Sequence, residues 1–223
     1  MDAFDLLVNG PRVLTETLAL GARAGLRPFL LWGSLLGCVR DGGFIVGDRD
    51  IDLGILERDT DRLPALRSAM VARGYAVRID NDFKLSLVRP EHPRLFVDID
   101  VVRPFRDGWA ITNADADPAR IFHYRFAHGV FTGLRTARFV DGVDVAVPAR
   151  PEAFLEVVYG DWTVPAGRIH YLYGPLNVEV EIRQAQSRRR RTGPSPDRQA
   201  APGRGQVRSY IATFSPRRSP GRG

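Results

Sequence analysis

Residues 31–55 read LWGSLLGCVRDGGFIVGDRDIDLGI, and the order of events in this stretch decides the fold. An apolar run, Phe29 to Trp32, meets a small-residue turn, Gly33-Ser34. A short helix over Ser34 to Arg40 breaks at Asp41-Gly42-Gly43, and an acidic strand over Asp48 to Leu56 follows. Asp48, Asp50 and Asp52 alternate by two, which on a strand places their side chains on one face, successive ones about 6.6 Å apart. Crowded carboxylates raise one another's pKa unless a cation neutralises them. An all-oxygen site suits Mg²⁺, whose usual partners are phosphates. The pattern predicts metal-dependent phosphoryl or nucleotidyl transfer.

Within that strand, Asp50-Ile51-Asp52 is the expected metal-binding pair, with Ile51 turned into the core. Holding two ions about 3.5–4 Å apart requires a third carboxylate. Phe96-Val97-Asp98-Ile99-Asp100 repeats the design of an apolar strand with acids on one face, and either Asp98 or Asp100 could reach the site. One such strand is readily the wetted face of a sheet edge; two of them, one preceded by a Gly-Ser turn, favour a site. Gly33 lets backbone approach a ligand closely, and a helix starting at Ser34 offers N–H groups to a phosphate. Arg40 and Lys84 are the candidate phosphate-binding cations. Lys84 alternates with Phe83 and Leu85, so it shares the face of Ser86.

Outward from this centre, a helix is expected over residues 11–25, with Pro11 in its first turn. Another runs from about Asp61 to Ala72 and ends at Gly74. Strands are expected at Tyr75 to Ile79, Phe83 to Val88, Leu95 to Val102 and Trp109 to Thr112, whereas residues 113–133 show no clear pattern. Asp141-Gly142 joins a hairpin, and Pro151 opens a helix closed by Gly160. Strands mixed with helices, without regular βαβ alternation, predict an α+β domain with a mixed sheet.

The charge is unevenly spread. From Gln186 onward there are ten arginines and one aspartate, so residues 1–185 carry −3 against +6 for the whole chain. The expected division is a folded domain over 1–185 and a disordered Arg/Pro/Gly-rich tail over 186–223. The single cysteine, Cys38, excludes an internal disulfide and a cysteine-based zinc site. No apolar run reaches the roughly 18 residues of a membrane span, so a cytoplasmic protein is expected.

These residues resemble the LicD/fukutin family, phosphotransferases with a nucleotidyltransferase-type core. GSLLGCVR, GGFI and DRDID match its GxLLGxVR, Gly-Phe-Ile and DxDxD elements, VDID matches its later acidic strand, and VDVAVP with FLEVVYGDW matches its closing segment. The resemblance covers about residues 28–165. Val46-Gly47 stands where Pro-Trp is frequent, and Asp41 where a basic residue or histidine is common. A membrane anchor, stem and cysteine-rich insert like those of the animal Golgi members are not expected from these residues.

The resemblance implies a nucleotidyltransferase-type mixed sheet flanked by helices. It also implies transfer of a phospho-alcohol, such as phosphocholine or a polyol phosphate, from a CDP-linked donor to a glycan hydroxyl, as in modification of a cell-surface polysaccharide. Asp50, Asp52 and Asp98 would bind two Mg²⁺, with Mn²⁺ a substitute, and Gly33 and Ser34 would cradle phosphate oxygens. Asp48 or Asp100 would accept the acceptor's proton, Arg40 and Lys84 would offset negative charge, and Asp161 and Trp162 would shape the pocket. Two rival readings remain at this stage. One is a nucleotidyltransferase moving NMP from an NTP to a small molecule or sugar phosphate; the other is a non-catalytic protein that binds nucleic acid through its basic tail.

Overall fold

The computed structural model describes residues 5–114, 120–165, 178–182 and 209–212. Most of residues 186–223, the expected tail, falls outside them. Its one described part, β11 (Ser209–Ala212), pairs antiparallel with β10 (Val178–Ile182), so the sheet takes in residues beyond the expected boundary at 185.

The centre of the sheet is β2 (Asp50–Leu56), parallel to β5 (His92–Phe105). β1 (Phe29–Leu30) runs antiparallel on the other edge of β2 and leads through β9 (Asp144–Pro148) to β8 (Leu134–Arg138). The far edge of β5 is shared. Its first half pairs with β4 (Lys84–Arg89), which carries β3 (Ala76–Asp80), and its end pairs with β6 (Gly108–Ala114). Beyond β6 lie β7 (Arg120–Ala127), β10 and β11. This is the mixed sheet of an α+β domain, with parallel pairing at β2–β5 and β1–β9.

Alternation sorts the two faces of β2 and β5. Ile51, Leu53, Ile55, Val97, Ile99 and Val101 are all buried on one face. There α1 (Asp5–Arg23) covers them, with its Glu16 bonded to Arg89 and Tyr75, and α3 (Leu63–Ala72) packs beside it. Helix α1 starts six residues before the expected position, so Pro11 lies inside it. Burial of Leu6, Gly10, Val13 and Leu14 along one side outweighs the loss of one N–H donor.

On the opposite face α2 (Trp32–Leu36), prolonged by a π-helical turn at Gly37–Asp41, packs on β2. Next to it lies α4 (Pro151–Tyr159), closed by Gly160 at φ 68°. Phe154 of α4 is fully buried among Trp32, Phe126 and Phe131, with ring centroids 5.4, 4.6 and 6.0 Å away. The segment without a clear pattern contains β7, whose Phe122, Tyr124 and Phe126 alternate regularly. Between them stand Ile121 and His123, both buried, and the half-buried Arg125, so the strand lacks the polar-out contrast that a half-buried strand normally shows. Among the described residues no helix is long and apolar enough to cross a membrane.

Because Phe154 joins α4 to α2, its truncation should loosen both. Phe154→Ala is expected to lower unfolding free energy by about 3–5 kcal/mol, read as an earlier urea midpoint by circular dichroism.

Candidate active site

The strand β2 begins at Asp50, two residues later than alternation alone suggests, so Asp48 belongs to the preceding loop. Gly47 adopts φ 91°, a left-handed conformation that a side chain strains, and Asp48 N–H donates to the Ile45 carbonyl at 3.2 Å. The loop thereby turns Asp48 back over the strand. The carboxylates of Asp48, Asp50 and Asp52 each place an oxygen within 4.8 Å of the other two.

The Gly33-Ser34 turn fixes one member of this group, Asp52. Gly33 N–H donates to Asp52 Oδ2 at 3.0 Å, and Asp52 N–H donates to Ser34 Oγ at 2.9 Å. A methyl group on Gly33 would strike the Asp48 carboxylate and come within 3.3 Å of Asp52 Oδ2. Glycine therefore permits close approach at this position, as expected, but what approaches is a pair of the protein's own carboxylates. Ser34 is buried, so its hydroxyl faces the strand rather than a cleft where a phosphate would lie.

Burial raises Asp48 to a pKa of about 7, helped by the adjacent Asp50 carboxylate and opposed by the Arg49 N–H. Burial also lifts Asp52 well above the carboxylate range, with Asp50, Asp48, Asp100 and Asp98 adding repulsion. Three hard oxygen donors gathered this closely, two of them resisting ionisation on their own, fit a divalent cation such as Mg²⁺.

Asp98 lies directly opposite Asp52 in register, and Asp100 opposite Gly54. The sequence reading places Asp98 in the metal set; the carboxylates that cluster are those of Asp48, Asp50 and Asp52, and Asp98 is engaged by β4. Lys84 Nζ reaches Asp98 Oδ2 at 2.7 Å, and Ser86 Oγ donates to Asp98 Oδ1 at 2.6 Å. Both come from β4, whose register sets Ser86 opposite Asp98 and Lys84 opposite Asp100.

Lys84 is also 3.6 Å from Asp100 Oδ1, while Trp32 Nε1 donates to Asp100 Oδ2 at 2.7 Å. Burial would discharge Lys84, but Asp100 and Asp98 outweigh it and keep the ammonium charged. Burial raises Asp100 to about 6 against the pull of Lys84 and Trp32. Lys84 thus faces the acids, as its alternation with Leu85 predicts.

Arg40 does not join this group. Its guanidinium is held by Asp41 through bonds of 2.9 and 2.7 Å. Asp161 is exposed and accepts a bond from Thr163, and Trp162 packs at the margin of the core. His123 sits between Thr112 and Glu181, and His128 stacks on Trp109.

Three contributors escaped the sequence reading: Trp32, Phe96 and Arg78. The guanidinium of Arg78 lies 4.0 Å above the Phe96 ring and donates to Ser86 Oγ at 3.3 Å. Nothing in the sequence distinguishes it from the many other arginines, because its direction depends on a register shift between Val77 and Ile79.

Residues 25–149 match the model of a family described as LicD/FKTN/FKRP, nucleotidyltransferase domain. An uncharacterised protein of Rickettsia prowazekii (strain Madrid E) is 23% identical over 169 residues, or 76% of this chain and 59% of that protein. The chain thus spans about three-fifths of the length of this relative. Among solved structures, ANT(2")-Ia in complex with adenylyl-2"-tobramycin aligns with a TM-score of 0.42 and 16% identity, covering 61% of this chain and 67% of that one.

The raised pKa of Asp48 carries a sign that can be tested. The unfolded carboxyl ionises near 3.8 and the folded one near 7, so the folded state binds the extra proton between these values. The contribution of Asp48 to stability is therefore greatest at low pH and is lost as pH rises through about 7. In metal-free protein, this should appear as a fall in melting temperature across that window, flatter in Asp48→Asn. A cation must displace the proton, so the melting shift produced by Mg²⁺ should be larger at about pH 8 than at about pH 5.5. Gly33→Ala, which drives a methyl into Asp48, should abolish the Mg²⁺ shift in scanning fluorimetry.

Proposed function

We propose, for a chain that belongs to the LicD/FKTN/FKRP family and carries its nucleotidyltransferase domain, transfer of a phospho-alcohol from a CDP-linked donor to a sugar hydroxyl. The observation that carries this reading is the arrangement over one sheet face: three clustered carboxylates, of which Asp52 is held by Gly33 and Ser34, beside an Asp98 oriented by Lys84 and Ser86. In the reaction, the acceptor oxygen forms a bond to the phosphorus that carries the alcohol. The bond from that phosphorus to the oxygen of CMP breaks, the electron pair leaves with CMP, and the acceptor hydroxyl loses its proton.

Asp48, Asp50 and Asp52 would hold the divalent cation, with Asp48 replacing Asp98 in the set expected from sequence. Bound there, Mg²⁺ or Mn²⁺ supplies Lewis-acid neutralisation of phosphoryl oxygens. Gly33 keeps Asp52 aimed by donating its N–H, and Ser34 fixes the backbone of the same residue. Asp98 is the proton acceptor for the sugar hydroxyl. Its side chain is 14% exposed, against 1% for Asp100, and Ser86 and Lys84 fix its orientation. Asp100, enclosed by Trp32 and Lys84, is a positioning residue for that ammonium.

Incubation with CDP-choline, CTP and ATP separately, with Mg²⁺ and a glycan acceptor, tests the reading. Release of CMP from CDP-choline with transfer of phosphocholine is expected; incorporation of NMP from CTP or ATP would replace it with nucleotidyl transfer. Asp50→Asn removes an interaction worth several kcal/mol, so turnover should fall by about 10²-fold or more in protein whose circular dichroism is unchanged. Wild-type turnover in that variant would remove the metal from the mechanism.

A further inference from the structure

The acids of the site leave a charge problem. Three carboxylates exceed the charge of one divalent cation, and a diphosphate brought to them adds further negative charge. Lys84 is committed to Asp98 and Asp100, and Arg40 to Asp41. Arg78 differs from both. It projects from the exposed strand β3 over the acid-bearing face and meets no carboxylate among the described residues. Among the described residues its one hydrogen bond goes to Ser86 Oγ at 3.3 Å, and most of its five N–H donors meet no acceptor there.

Its position is defined by Phe96. That ring lies in register with Asp50 on the parallel neighbour strand, about 4.8 Å away in the pairing direction. The guanidinium stacks on the ring at 4.0 Å. Stacking restrains the plane of the fork while its edge stays open, the geometry that suits bidentate binding of a phosphate. Ser86 links the same guanidinium to Asp98, since it accepts from Arg78 and donates to Asp98.

We propose that Arg78, laid on Phe96, grips a phosphate oxygen of the donor's diphosphate at the β4 side of the carboxylate trio and is a substrate-binding residue of this site. This rests on the reading of the protein as a transferase with a nucleotide-linked donor. Arg78 pairs with the diphosphate as it enters, so the trio is not left to bind an anion unaided. Inorganic pyrophosphate carries the same recognition chemistry without the nucleoside or the alcohol.

Calorimetric titration of pyrophosphate in the presence of Mg²⁺ into wild type, Arg78→Gln, Arg78→Lys and Phe96→Leu tests this. Arg78→Gln should bind roughly 10- to 100-fold more weakly with its melting temperature unchanged. Arg78→Lys, which keeps the charge without the fork, should fall between, and Phe96→Leu should weaken binding by a few fold. Equal affinity in wild type and Arg78→Gln, or no binding by wild type, overturns the proposal. Parallel assays with CDP-choline separate this inference from the functional reading. Binding of pyrophosphate through Arg78 without turnover of any CDP-alcohol would sink the phospho-alcohol reading and leave Arg78 in place. Turnover of CDP-choline with the same KM in Arg78→Gln would do the reverse.

Discussion

Five carboxylates, those of Asp48, Asp50, Asp52, Asp98 and Asp100, stand on or beside two neighbouring strands, and the fold has to hold them there against their mutual repulsion. It does so from three directions. The far side of both strands is a continuous apolar surface, so Ile51, Leu53, Val97 and Ile99 resist any slip that would separate the acids. A one-residue slip would bury the acids and expose the isoleucines. From above, Gly33 and Ser34 bind Asp52 by its carboxylate and its backbone. From the side, β4 brings one ammonium and one hydroxyl to Asp98.

The raised pKa values of Asp48, Asp52 and Asp100 come first from burial, and repulsion from neighbouring acids adds to it at each. An apolar replacement of the acids would give a quieter sheet. Retaining them on so well buried a scaffold places the stability of the domain in the apolar face and its chemistry in the other.

Much of the site was legible because a period of two survives in the sequence. Asp50, Asp52, Asp98, Asp100 and Lys84 all fall on the face that alternation assigns them, and the mixed α+β sheet follows from the same pattern. What was hidden depends on tertiary geometry. Asp48 continues the alternation on paper but reaches the trio through a loop at Gly47, so its equivalence to the strand acids is partly coincidental. The true partners of Asp98 are set by the register of an antiparallel strand. Ser86 and Lys84 could be placed on the right face, but not against a particular acid. Arg40 lies beside an aspartate of its own, a local pairing that outcompeted the distant acids. Trp32 could be assigned to a buried strand end, yet its indole N–H bond to Asp100 spans 68 positions of sequence.

Trp32 also has a backbone φ of 42°, a conformation unusual for a bulky residue and worth roughly 1–3 kcal/mol of strain. Packing against Phe154, Phe126 and Tyr124 on one side and the bond to Asp100 on the other keep it there. The residue is thus a joint between two regions: its indole belongs to the aromatic core, and its N–H to the charged cleft. Energetic coupling between them is the consequence. Whatever stabilises Asp100 in its present place also helps hold α4 against the sheet, and a defect far inside the aromatic cluster reaches the carboxylates without touching any of them. Variation of core residues in this domain is therefore constrained by electrostatics as well as by volume.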